Sequence, residues 1–171
     1  MFVSEDDFKR ADWPLLQNGA VNLFFAKSYL EETQAQLRAL DYEVIEIIYE
    51  AADSFRSALT VALRWQQQFG YSPWTGNLDA LDDAFSSFPF RPSKSAAICV
   101  SNYDWLMREN EHLGQTFLDI IENQSKSHLL HGCRLLALIQ TNDPKISFEK
   151  LGARAAQWNR RERMMKDRGL A

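Results

Sequence analysis

The stretch SPWTGNLDALDDAF, residues 72–85, holds Asp79, Asp82 and Asp83 and no lysine or arginine. Carboxylates this close together suit three arrangements. Two that face each other across a cleft serve as general acid and base on a glycosidic bond. A row on one surface steers a basic partner and forms charge-assisted hydrogen bonds with its arginines and lysines. The third arrangement is a solvated acidic helix face with no ligand.

The spacing bears on the choice. Asn77 has the side chain of a helix N-cap. At about 100° per residue, Leu78, Leu81, Phe85 and Phe88 then cluster on one side. Asp79 and Asp83 lie four apart on the other side, and Asp82 falls between that face and the apolar stripe. In the first turn Asp79 gains about 0.3–1 kcal/mol from the helix dipole. Asp83, in the second turn, does not, and a like-charged i,i+4 pair costs about 0.2–0.5 kcal/mol. No basic residue stands four positions from any of the three. Catalytic carboxylate pairs come from separate elements flanking the scissile bond, which a single helix face does not supply. The solvated face and the docking surface both stay open. For a docking surface, Tyr71 and Trp74 supply aromatic packing beside the charges.

Other chemistry leaves little mark. There is no G-x-G-x-x-G, Walker A or G-x-S-x-G stretch, and the chain has 7 glycines in all. His128, His131 and Cys133 form H-x-x-H-x-C, but no second cluster completes a zinc site. Those histidines read as surface residues at a helix end, where they suit the dipole. No metal, cofactor or catalysis is expected.

The elements that must position the acidic stretch follow from the apolar pattern. AVNLFF (20–25) reads as a buried strand after an irregular start. Residues 28–41 read as a helix with Ser28 and Glu31 as capping box. Residues 42–51 are β-branched and read as a central strand. Residues 53–68 read as one helix capped by Asp53 or Ser54, followed by a loop over 69–76 and the acidic helix over 77–88. A strand over 95–102 follows, then a helix over 103–126 with Gly114 as its weak point, then a strand over 132–140. The basic end, including Arg160, Arg161, Arg163, Lys166 and Arg168, reads as a helix anchored by Leu151 and Trp158, its charges a solvated face, a contact with the acidic body or a weak nucleic-acid surface. Such alternation predicts an α/β fold: a small parallel sheet of three to four strands flanked by helices. The boundaries fall at 1–41 for an N-terminal strand and helix, 42–140 for the central domain and 141–171 for a basic extension.

Composition sets the bounds. The 171 residues are 46% apolar, enough for a core. The net charge of -4 is uneven: residues 1–140 carry 11 Lys/Arg against 19 Asp/Glu, and residues 141–171 carry 8 against 4. An acidic body argues against nucleic acid as direct ligand and for a basic protein partner. No run of about 18 apolar residues predicts a membrane span. The acidic start lacks a signal-peptide core, so a cytoplasmic location is expected. Cys99 and Cys133 sit among apolar residues and read as buried free thiols, with a disulfide between neighbouring strands left open.

GNLDALDDAF resembles the signature helix of the barstar family, intracellular inhibitors of barnase-type ribonucleases. That family carries an aromatic and glycine loop, then N-[LW]-D-A-L-x-D and a hydrophobic residue. Asn77, Leu78, Asp79, Ala80, Leu81 and Asp83 match in order. The element order over residues 42–140 is similar too, and QWNRRERMMKDRGL resembles the ending of longer bacterial members. The resemblance implies a barstar-like fold and an immunity protein. It would insert the acidic helix into the basic active site of a ribonuclease or related toxin, with no catalysis. Asp79 and Asp83 would imitate RNA phosphates. Asp82 stands where the best-known members have tryptophan, and Gly76 is the displaced loop glycine. The loop aromatic would be Tyr71 or Trp74. A further family acid falls near Ser127 and is absent unless Glu122 replaces it.

Overall fold

The computed structural model describes residues 9–152 and 154–170. The elements are α1 (Trp13–Gln17), β1 (Val21–Phe24), α2 (Lys27–Ala39), β2 (Glu43–Ile48), α3 (Ala52–Ala62), α4 (Trp65–Phe69), α5 (Leu78–Ser86), β3 (Ser95–Ser101), α6 (Tyr103–Glu109), α7 (Glu111–Leu130), β4 (Arg134–Gln140) and β5 (Gln157–Trp158). Two 3-10 turns, Arg160–Glu162 and Met165–Arg168, follow.

The fold is α/β, with one parallel sheet in the order β2-β3-β4-β1-β5. The chain runs from β1 back to the β2 edge, then forward through β3 and β4. Right-handed crossovers then require helices on opposite faces for the two directions, and the core divides that way. Leu30 and Leu37 of α2 pack with Ala97, Cys99, Leu136 and Leu138 on one face. Phe55, Leu59, Leu81, Phe85, Phe117 and Ile121 pack with Ala96, Ile98, Leu135, Ala137 and Ile139 on the other. Period-2 alternation with both faces covered explains why β3 and β4 read as unbroken apolar runs.

The sheet has five strands rather than three to four. The added strand is β5, where Asn22 pairs with Gln157 and Leu23 with Trp158. Two polar-flanked residues carry no strand signature; pairing with the outer edge of β1 makes the strand. The N-terminal and C-terminal segments thus share one sheet with the central part.

Local departures have local causes. Pro14 opens α1 within the segment expected to be irregular, and residues 1–8 of that segment lie outside the described residues. The cap of α2 is not Ser28: the helix starts after Ala26 with no side-chain cap. Instead the Phe25 and Ala26 N–H groups donate to Glu162 Oε2 and Oε1 at 2.9 and 2.7 Å. The helix expected over 53–68 is two helices, parted at Arg64, whose φ is 48°. That left-handed residue turns Trp65 fully into the core. Ala51 occupies the N-cap of α3, and Ser54 Oγ accepts from its N–H at 3.2 Å. Gly114 does not interrupt its helix; the break is at Asn110, whose side chain accepts from Leu113 N at 2.9 Å. Gly114 is buried where a Cβ would collide with Met107 Sδ, so it lets α6 and α7 approach closely. The basic end is not a helix but β5 and the two short turns. No helix among the described residues is long and apolar enough to cross a membrane.

Candidate functional site

α5 carries the acidic row, and its start is fixed by its own sequence. Asn77 Oδ1 accepts from the N–H groups of Asp79 and Ala80 at 2.9 and 3.2 Å. Gly76 precedes it at φ 98°, a conformation open to glycine at little cost. Trp74 is buried, donating its indole N–H to Asn77 O at 2.8 Å, while its backbone N–H donates to Thr60 Oγ1 at 3.0 Å. Its ring lies 6.1 Å from that of Trp65. Trp74 therefore offers no ring to a partner, unlike the surface aromatic expected from the sequence; it braces the helix start. Tyr71 is the exposed aromatic of the loop, at 45%, set edge-on to Trp65.

Leu81, Ala84 and Phe85 are buried, and α5 packs against α7. Two polar contacts link those helices. Gln124 Nε2 donates to Asp82 Oδ1 at 2.8 Å. His128 Nε2 lies 2.8 Å from Phe85 O. A carbonyl only accepts, so His128 carries its proton on Nε2. This corrects the surface reading of His128: it is buried beside Phe90, with ring centroids 4.9 Å apart. His131 is exposed.

Asp79 and Asp83 are exposed, and among the described residues neither carboxylate has an ion pair or hydrogen bond. Asp82 is half-buried and held. The sequence-predicted cluster is therefore two outward acids and one inward one. A neighbouring cation is Arg56 of α3, whose Nε would lie 3.7 Å from a Cβ on Gly76 and whose Nη1 pairs with Asp53 at 3.1 Å. Sequence separation hides this neighbour.

Glu122 does not extend the acidic surface. It is buried, its Oε2 accepting from Ala20 N at 2.6 Å and its Oε1 lying 3.4 Å from Lys126 Nζ. It joins α7 to the start of β1, while Ser127 is exposed. Cys99 is buried and Cys133 half-buried, both as free thiols. Burial pushes the Cys99 thiol up to about 12. Among the described residues no group of three or more His, Cys, Asp or Glu side chains could hold a metal ion.

No protein-family model, curated protein or solved structure matches the chain.

Proposed function

We propose that this chain is a barstar-like, non-catalytic protein of the bacterial cytoplasm that binds a basic ribonuclease or related toxin and blocks its active site with α5. One observation carries the reading: Asp79 and Asp83 stand exposed, and unpaired among the described residues, one turn apart on a helix braced by Asn77, Trp74, Gln124 and His128. A helix held this way presents charge without reordering on binding, which favours affinity. Guanidinium and ammonium groups lining a catalytic pocket would take the two carboxylates in place of substrate phosphates. Tyr71 supplies the flanking aromatic contact.

The test is inhibition of a panel of barnase-like and neighbouring toxin ribonucleases. The expected result is stoichiometric inhibition of one of them, with association slowing steeply as salt rises. If none binds better than a control protein, the reading is lost.

A second reading, a barstar-fold interaction module with a non-ribonuclease partner, is favoured by Asp82 and Glu122. Asp82 replaces the family aromatic and turns to Gln124, and Glu122 is enclosed by Ala20 and Lys126. A complex insensitive to salt that survives loss of both Asp79 and Asp83 would select it.

A further inference from the structure

A surface of opposite sign lies at the far edge of the sheet, where the turn Arg160–Glu162 follows β5. Two residues of that turn are anchored to the body. Arg161 Nη2 donates to Glu32 Oε1 at 2.7 Å, and its guanidinium stands 5.0 Å over the Tyr29 ring. Glu162 accepts from Phe25 and Ala26. Asn159 fixes the start of the turn by accepting from Arg161 N at 3.0 Å.

In a 3-10 turn, residues i and i+3 eclipse each other. With Arg161 held by Glu32 along α2 and Glu162 buried, Arg160 and Arg163, three positions apart, are left exposed without those partners. Both line a cavity of about 270 Å³ between the turn and α1. Gln17, Asn18 and Trp158 complete its working wall. Arg168 backs the indole, 4.2 Å from the ring centroid. Among the described residues, nothing pairs with the guanidiniums of Arg160 and Arg163 or bonds the side-chain amides of Gln17 and Asn18. Among the described residues, no aspartate or glutamate lines the cavity.

Two like charges three positions apart on a short turn repel each other, and among the described residues no counterion offsets them. Guanidiniums offer only donors, in a planar fork that matches phosphate oxygens. The wall carries a formal charge of two positives. A phosphate monoester brings about −1.5 to −2 at pH 7 and so matches it; one carboxylate leaves half unmatched. The volume is below the range of about 300–1,000 Å³ usual for drug-sized ligands, so the ligand is small.

We propose that this cavity binds a small phosphate monoester, its phosphate on Arg160 and Arg163 and its remainder against Gln17, Asn18 and Trp158. The site is independent of the acidic helix.

The experiment is calorimetric titration of the whole chain at low ionic strength with inorganic phosphate, ribose 5-phosphate and AMP, with acetate as control. The same series is run on the Arg160→Ala/Arg163→Ala variant, which removes only exposed side chains, with circular dichroism to confirm folding. All three phosphates should bind saturably at one site. The double substitution should weaken each at least tenfold, and acetate should bind at least tenfold more weakly than either ester. AMP binding tighter than ribose 5-phosphate would place the base on Trp158. The proposal is overturned by absence of saturable binding, by binding unchanged in the double variant, by acetate matching the esters, or by inorganic phosphate binding alone.

Discussion

Gln124 on α7 donates to Asp82 on α5 at 2.8 Å. That bond divides the acidic row: one carboxylate pins the helix to its neighbour and two face solvent. Gln124→Ala leaves a half-buried carboxylate without its donor. It should lower unfolding free energy by about 0.5–1.5 kcal/mol in urea titration, while Asp79 and Asp83 keep their charge.

The two outward acids should behave differently from Asp82 in any complex the helix forms. Asp83→Ala should weaken binding of a basic partner by about 2 kcal/mol or more, roughly 30-fold in Kd. Asp83→Ala should leave the urea midpoint of the free protein nearly unmoved, since among the described residues its carboxylate has no ion pair or hydrogen bond. Calorimetry on the complex paired with urea titration of the free protein separates the two effects.

Glu162 is the buried anion that holds the C-terminal segment to the start of α2. Its carboxylate also accepts from Asn159 Nδ2. Glu162→Ala leaves two backbone donors without their charged acceptor, at a cost of about 1.5–3 kcal/mol or more. Limited proteolysis should then cut within 157–170 before the rest of the chain, and the thermal midpoint should fall.

Asp12 gives the fold an acid sensitivity. Burial pushes its carboxyl up, but hydrogen bonds from Arg10 and Tyr42 and the charges of Arg10 and Arg134 outweigh this and hold it below the usual carboxylate range. Arg10 Nη2 and Tyr42 Oη lie 2.9 and 2.8 Å from Asp12 Oδ2. A carboxyl lowered by folding stabilises fully above its unfolded value of about 3.9. That contribution fades as pH falls through the lower folded value. Asp12→Asn should therefore be less stable than the parent at pH 7 and lose less between pH 5 and pH 3, as read by urea titration across that range.

The two thiols should part in reactivity. Cys99, buried with its thiol pushed up to about 12, has almost no thiolate at pH 8. Cys133 is half-buried. Iodoacetamide at pH 8 should modify Cys133 first in the native protein and reach Cys99 only when urea unfolds it, which mass spectrometry of peptides will show.

The fold is legible in the sequence where burial writes a period. β3 and β4 are apolar on both faces, and α5 has its cap Asn77 and its buried stripe Leu81 and Phe85, with Phe88 buried just past its end. Where a contact crosses the chain, the sequence is silent. Glu162 meets Phe25 across 137 residues, and β5 exists only because Leu23 lies beside Trp158. Arg64 at φ 48° breaks a helix that its composition favours, because Trp65 must reach the core. At the acidic helix, the row of aspartates is visible from spacing, but the inward turn of Asp82 depends on a glutamine 42 residues away. The burial of Trp74 depends on Asn77 O and Trp65, which loop composition does not reveal.

β1 pairs with β4 on one side and β5 on the other, and its four residues are all buried. While the chain is being made, Val21–Phe24 emerges from the ribosome long before Arg134–Gln140 exists to receive it. The strand cannot enter the sheet on that side until β4 has been made. The earliest strand of the sheet is thus among the last to gain its neighbour, and closure of the sheet waits on the synthesis of β4.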